Sequence, residues 1–258
     1  MIPKKFHFIF GLKEQDQPFH LVYYICLLSC IQVNTPTELH LYYEHEPYGP
    51  FWESIRNKLI LHKVTPMKRL NGYDLNYAHR ADFLRIDILN EYGGVYADID
   101  SIFVNPIEDK LYREDFVLGR EDIPYPFYGL CNALIMAREG SEFGKLWYEG
   151  ALSEYNGSWN YHSVRYPKEL AVTHPQLIHV EPQRSFYKHM WDEKGIKSLF
   201  GSIDSDISDC YSFHLWENVS WADHLKNLIE KDIVTLRSTY GLIARSVLYG
   251  NKGGGIFT

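Results

Sequence analysis

Between His79 and Pro106 the chain changes its hydrophobic period from that of a helix to that of a strand, across a pair of glycines. Ala81, Leu84, Ile88 and Leu89 recur at helical spacing and predict a helix with that stripe toward the core. Asp82 and Arg85 stand three apart on another face, near the helix start. Gly93-Gly94 supplies left-handed residues that end a helix and reverse the chain. Beyond them the period is two: Val95, Ala97 and Ile99 point one way, and Tyr96, Asp98 and Asp100 the other.

That alternation sets two carboxylates about 7 Å apart on one face of a strand end. Like charges so placed repel unless something positive lies between or beside them. A divalent cation held by oxygen ligands is the natural occupant, and such a cation commonly bridges to a phosphate. An isolated Asp-X-Asp fits a surface strand with two solvated aspartates equally well. The paired Asp and Arg, the Gly-Gly turn and the apolar strand around it favour a site.

The run Ala81-Asp82, Arg85, Gly93-Gly94-Val95-Tyr96, Asp98-Ile99-Asp100 resembles the Asp-X-Asp glycosyltransferases of sequence family thirty-two. That family includes the yeast initiating mannosyltransferase type, α-1,4-galactosyl and α-1,4-N-acetylglucosaminyl transferases and capsular transferases. The run also looks like the clostridial glucosylating toxin core. The resemblance implies a GT-A type α/β fold, with a mixed, mostly parallel central sheet flanked by helices. It implies Mn²⁺ or Mg²⁺ as cofactor, a nucleotide sugar as donor, and a glycan or polysaccharide as acceptor. Asp82, Arg85, Asp98 and Asp100 become the expected catalytic residues, with Asp82, Arg85, Tyr96 and Asp98 on the donor.

The rest of the chain is read around this centre. Ile2 to Gly11 is a first strand, apolar enough to be buried in a parallel sheet. Ligands of open α/β sheets gather at strand carboxyl ends, which puts Ile9, Phe10 and Gly11 beside the ligand. The resemblance assigns Phe10 to stacking on the base; plain core packing fits it too. His20 to Cys30 reads as a helix, Leu39 to Tyr43 as a strand, Phe51 to Lys58 as a helix and Val64 to Pro66 as a short strand or link. This βαβα order opens a parallel-sheet α/β domain. Asn76 or Asp74 caps the central helix. Phe116 to Gly119 and Leu130 to Met136 follow as strands, and Phe143 to Leu152 as a helix. In the resembled family an Asn-Ala pair lies near the donor, which nominates Asn132.

Gly157 to Gln183 is read as acceptor-side loops, with short extended pieces at Thr173 to Pro175 and His179 to Pro182. Lys188 to Asp209 reads as irregular and exposed. Tyr211 to Trp221 resembles the family's C-terminal His-X-Trp and Ser-Trp elements. There the His helps hold metal or diphosphate and the Ser-Trp end closes over the diphosphate, which nominates His214 as a third metal ligand with Ser220 and Trp221 on the donor. A helix from Ala222 to Lys231, an amphipathic segment to Tyr249 and a flexible tail over 251–258 complete the reading. One domain over 1–250 is expected, with 1–110 as the nucleotide-sugar half and 111–250 as the acceptor half.

A net charge of −7 argues against nucleic acid as partner. The 20 tyrosines suit sugar-facing surfaces. Cys26, Cys30, Cys131 and Cys210 show no disulfide or zinc spacing and read as buried thiols of a reducing compartment. The apolar run Phe19 to Ile31 is too short to span a bilayer and lacks a cleavage pattern. A cytoplasmic protein with at most peripheral membrane contact is expected. The resemblance further implies retention at the anomeric carbon, with a UDP-hexose favoured over GDP-mannose. Two rivals share the motif: a metal-dependent phosphohydrolase of haloacid dehalogenase type, and a glycan-binding module without catalysis.

Overall fold

The computed structural model describes residues 1–250; the tail expected to be flexible, 251–258, lies outside the described residues. The strands are β1 (Lys5–Ile9), β2 (Glu38–Tyr43), β3 (Ile60–Lys63), β4 (Arg69–Leu70), β5 (Tyr73–Asp74), β6 (Gly94–Ala97), β7 (Ser101–Phe103), β8 (Phe116–Glu121), β9 (Gly129–Ala137), β10 (His179–Glu181) and β11 (Ser212–His214). The helices are α1 (Leu21–Asn34), α2 (Pro50–Ile55), α3 (Tyr77–Tyr92), α4 (Glu142–Ser153), α5 (Tyr166–Thr173), α6 (Gln183–Tyr187), α7 (Glu193–Phe200), α8 (Glu217–Ser220), α9 (Glu230–Thr235) and α10 (Thr239–Tyr249).

Among the described residues, seven strands form one sheet in the order β10-β8-β9-β6-β1-β2-β3. Every pairing is parallel except those of β9 with β6 and β8. Parallel strands buried on both faces carry continuous apolar runs, which is why Phe6 and Phe8 of β1 are fully enclosed. Val95 and Ala97 pack on one side, with Trp52, Val117 and Met136. Tyr96 packs on the other, with Phe83, Ile86, Ile135 and Trp147. The period of two expected over this strand is observed. This is the mixed, mostly parallel sheet flanked by helices of the GT-A fold.

The mixed polarity decides where the site forms. β1, β6 and β8 end at one edge of the sheet, and the antiparallel β9 begins there. Phe10, Asp98, Glu121 and Asn132 are thereby gathered at a single margin. The Gly93-Gly94 reversal is required twice over. Both residues have positive φ, +60° and +113°, and a Cβ on Gly94 would stand 2.6 Å from the Lys5 carbonyl oxygen. Asn76 caps α3, its side chain accepting from His79 N at 2.9 Å.

Several expectations are corrected. The buried face of α3 is Phe83, Ile86, Ile88 and Leu89, together with Asp82 and Arg85; Ala81 and Leu84 are only half-buried. The helix is enclosed on two sides, by the sheet and by the segment around residue 162, so one apolar stripe does not describe it. Asp98 and Asp100 lie beyond the end of β6, on a turn closed by Ser101 N donating to Asp98 O at 2.9 Å, and not on the strand itself. The third strand is Ile60–Lys63, just before Val64. Thr173 ends α5 rather than forming an extended piece. Lys188 to Asp209 is neither irregular nor exposed throughout, since α7 crosses it and His189, Met190 and Leu199 are buried. The helix expected from Ala222 to Lys231 is instead a π-helical turn, Trp221–Leu225, followed by α9, and α10 lies in the amphipathic segment that ends at Tyr249. No helix among the described residues is long and apolar enough to cross a membrane.

β1 also carries a stability prediction. His7 Nε2 lies 2.9 Å from Gly93 O and Nδ1 lies 3.2 Å from the Tyr42 hydroxyl, the pattern of a neutral ring donating at Nε2. Burial first, then the neighbouring His40, lowers its pKa from 6.5 to about 3. Unfolded His7 takes up a proton below 6.5 while the folded residue resists it, so stability is full above 6.5 and falls as pH drops toward 3. The expected loss across that window is about 4–5 kcal/mol. Urea unfolding midpoints followed against pH measure it. His7→Gln is expected to flatten this acid limb; a limb as steep as that of the parent contradicts the assignment.

Candidate functional site

The sheet margin opens into a cleft of about 1770 Å³. Ile9, Phe10, Gly11, Asp82, Arg85, Tyr96, Asp98, Asp100, Asn132, His214 and Trp221 all line it. Ser220 does not: it is fully buried and its hydroxyl donates to Leu215 O at 2.6 Å, which leaves it no proton to offer a diphosphate. The other nominated residues come together in one place.

At the floor, the side chains are held by one another. Arg85 spans the helix and the turn, with Nη2 at 3.3 Å from Asp82 Oδ1 and Nη1 at 3.1 Å from Asp98 Oδ1. Nη1 also donates to Asn132 O at 2.8 Å, and the guanidinium stands 4.6 Å from the centroid of the Tyr96 ring. Tyr96 donates its hydroxyl proton to Asp98 Oδ1 at 2.7 Å. Asp82 accepts from Asn132 Nδ2 at 2.7 Å and meets His162 Nε2 at 3.0 Å. Burial works against charge on Asp82, yet Arg85, His162 and Asn132 hold its carboxyl below the usual range.

The second carboxylate is fixed from the C-terminal side. Asp100 Oδ2 accepts from Glu217 N at 2.9 Å, and Asp100 O accepts from Leu215 N at 3.0 Å. β11 pairs antiparallel with β7, which brings His214 opposite Ser101. His214 Nε2 then lies 3.0 Å from Asp100 Oδ1 and 3.6 Å from Asp98 Oδ2. Burial opposes a charged imidazole, but the two aspartates raise its pKa above the ordinary value. Burial and the neighbouring Asp100 push Asp98 upward against the pull of Arg85, while His214 holds Asp100 down.

Each aspartate thus has one oxygen committed to protein donors and one facing the histidine. Asp98 Oδ2, Asp100 Oδ1 and His214 Nε2 are the atoms left to converge. Ligand atoms of these three residues lie within 4.8 Å of one another. His214 Nδ1 is buried and has no partner of its own. Two carboxylates and an imidazole suit Mn²⁺ or Mg²⁺, the imidazole favouring manganese. The residues fit a divalent cation.

Aromatic residues line the side toward α1. Phe10 packs edge-on against Phe19 at 5.1 Å and lies 5.0 Å from Tyr23. Tyr23 and Trp221 stack in parallel, with centroids 5.7 Å apart and planes 5° from coplanar. Glu217 lies near Tyr23, and its carboxyl is pushed to about 7 by burial and by Asp100.

Three of these residues escape the sequence reading. His162 lies in a single π-helical turn, Tyr161–Arg165, within the stretch read as loops. Tyr23 is one of many tyrosines, and nothing local sets it apart. Glu217 lies inside the His-X-Trp…Ser-Trp run, at a position the pattern does not mark.

The Asp-Ile-Asp turn now stands beside its arginine and its histidine at the end of a parallel sheet. Residues 31–117 match the model of the glycosyltransferase sugar-binding region containing DXD motif. Over 261 aligned positions the chain is 30% identical to Glucan organizing enzyme 1 of Cryptococcus neoformans var. grubii serotype A (strain H99). That alignment spans 95% of this chain and 70% of the relative. The chain belongs to the DXD-containing glycosyltransferase family.

Solved glycosyltransferases share the fold of this DXD glycosyltransferase at low identity. The PaToxG glycosyltransferase superposes with a TM-score of 0.50 at 17% identity, covering 67% of this chain and 69% of that one. The glycosyltransferase GlyE of Streptococcus pneumoniae TIGR4 does so with 0.53 at 12% identity, covering 98% of this chain and 66% of that one. DXD glycosyltransferases generally use a divalent metal and a nucleotide sugar, and the Asp98, Asp100 and His214 cluster is present here.

Proposed function

We propose that this DXD glycosyltransferase is a metal-dependent, retaining hexosyltransferase. It moves a hexose from a nucleotide diphosphate sugar, UDP-hexose in preference to GDP-mannose, to a hydroxyl of a glycan or polysaccharide. In this reading it is kin to the family-thirty-two transferases and the clostridial toxin core. The convergence of Asp98 Oδ2, Asp100 Oδ1 and His214 Nε2 on one point is the observation that carries it.

The three residues would hold Mn²⁺ or Mg²⁺. The cation supplies charge neutralisation between the acidic turn and an anionic diphosphate, and Lewis acidity toward the departing diphosphate. The chain's own residues do the rest. Arg85 and Asn132 hold Asp82, whose carboxylate accepts hydrogen bonds from donor sugar hydroxyls. Phe10, Tyr23 and Trp221 offer ring faces to the base and close that end against water. Asp82 is engaged by Arg85, Asn132 and His162, and Asp98 by Arg85 and Tyr96. Both oxygens of Asp82 are held by the protein and Asp98 Oδ2 would be taken by the cation, which favours front-face attack by the acceptor hydroxyl and so retention.

Residues 1–110 supply most of the donor half, joined by Asn132, His214 and Trp221, and the remainder of 111–250 supplies the acceptor half. A polysaccharide acceptor agrees with the word glucan in the relative's name. Four buried free thiols, Cys26, Cys30, Cys131 and Cys210, support the cytoplasmic site of action.

A panel of UDP- and GDP-hexoses with Mn²⁺ and oligosaccharide acceptors tests the reading. Nucleotide release reports consumption, and proton NMR of the first product reports the anomer. One UDP-hexose is expected to be consumed, with the product keeping the donor's anomeric configuration. Inversion removes the front-face mechanism. If no donor is consumed while a phosphomonoester is hydrolysed, the phosphohydrolase rival takes its place.

A further inference from the structure

The cleft has a second polar anchor outside the Asp98, Asp100 and His214 cluster. Glu121 is the last residue of β8, at the same sheet margin as Asp98. It is 6% exposed and yet lines the cleft. Trp191 Nε1 donates to its Oε1 at 3.1 Å. Among the described residues Oε2 has no hydrogen-bond partner. Burial pushes this carboxyl above the usual range, against the pull of Trp191 and His214. That oxygen opens to the cleft, where it can accept a hydrogen bond from a bound group.

Ring faces share the cleft with this anchor. Tyr128, Trp159 and Trp191 line it, Trp191 in direct contact with Glu121. Asn160 Nδ2 donates to the Tyr128 hydroxyl at 3.0 Å, which orients that ring. Trp159 is 58% and Trp191 37% exposed, so large apolar faces stand open to water there. An aromatic face beside a hydrogen-bonding carboxyl is suited to a pyranose, whose C–H face is apolar and whose rim is hydroxyl. The Glu121 carboxyl would disfavour an anionic group set directly beside it, which points to a neutral sugar.

We propose that Glu121 and Trp191 form the acceptor subsite: the Glu121 carboxyl takes a hydrogen bond from an acceptor hydroxyl, and the Trp191 face carries the ring of a neutral pyranose. The assignment rests on the transferase reading above. It makes Glu121 an acceptor-binding residue, and it separates recognition of the acceptor from that of the donor.

Two measurements test it. Glu121→Gln keeps the side chain's size and an acceptor for Trp191, and Trp191→Ala removes the ring face from a part-exposed position. The first measurement uses the donor that the parent consumes, with laminaritriose, maltotriose or mannotriose as acceptor. The ratio of transfer to hydrolysis by water is expected to fall at least tenfold in both variants. An unchanged ratio, or equal loss of both reactions, overturns the subsite.

The second measurement needs no turnover. Intrinsic tryptophan fluorescence, titrated with the same three trisaccharides, is expected to report affinity at least tenfold weaker in Glu121→Gln. Equal affinity, or no binding by the parent to any of the three, overturns the subsite. A parent that binds a trisaccharide but consumes no donor sinks the transferase reading alone. Should Glu121→Gln fail to fold, Trp191→Ala carries the transfer-to-hydrolysis ratio by itself.

Discussion

Replacing Asp100 with asparagine is expected to lower sugar transfer by at least about 10³-fold. The substitution keeps shape and removes one charge. Asp100 now serves two directions: Oδ2 accepts from Glu217 N at 2.9 Å, and Oδ1 faces His214 at 3.0 Å. An amide has a single acceptor oxygen. The fixed backbone N–H of Glu217 claims it, which turns the –NH₂ toward His214 and Asp98. A donor then occupies the point where a cation would be held. Manganese affinity, read by the loss of the free Mn²⁺ EPR signal, is expected to fall by about 10- to 100-fold or more. Because the variant also relieves repulsion between buried Asp100 and half-buried Asp98, its unfolding midpoint is not expected to fall in proportion. A variant that binds manganese and transfers sugar as the parent does would remove Asp100 from the site.

Arg85→Met is expected to cost about 3–5 kcal/mol of stability as well as activity. The guanidinium is 5% exposed and satisfies four groups at once: Asp82, Asp98, the Asn132 carbonyl and, through Nε, the Ala81 carbonyl at 3.2 Å. Methionine fills the stem but leaves the buried Asp82 and half-buried Asp98 carboxylates without the guanidinium that bridges them. Arg85→Lys recovers only part of the loss, because one ammonium cannot reproduce a planar fork that reaches Asp82 and Asp98 together. Urea unfolding measures both variants. The mechanism predicts a specific rescue: Asp98→Asn in the Arg85→Met background removes one unpaired charge, so the double variant loses less than the sum of the two single changes. A loss under about 1 kcal/mol for Arg85→Met would mean that Arg85 holds no buried charge in place.

Legibility in the sequence follows the range of the interactions involved. The βα order through α3, the Asn76 cap and the Gly93-Gly94 reversal could all be read, because each depends on residues a few positions apart. Asp82, Arg85, Asp98 and Asp100 could be nominated on the same footing, as members of one short run. His214, Asn132 and Trp221 came from resemblance alone, since no local spacing ties them to the acidic turn. Ser220 shows the cost of that route: the position matches the pattern, but its hydroxyl is held by Leu215 O inside the protein. The stretch from Gly157 onward resisted reading because its helices are short, and their burial is decided by what they pack against.

By itself the sequence determined the elements on which the site is built: a capped helix, a reversal only glycine can make, a strand apolar on both faces, and two aspartates one residue apart. Tertiary structure alone decided which groups meet. His214 reaches Asp100 across 114 residues of chain, His162 reaches Asp82 across 80, and Trp191 reaches Glu121 across 70. The physical reason is that local sequence governs dihedral preference and hydrophobic period. Contacts across such separations arise only when the antiparallel β9 and the β7–β11 pair fold distant segments back onto the margin where the parallel strands end.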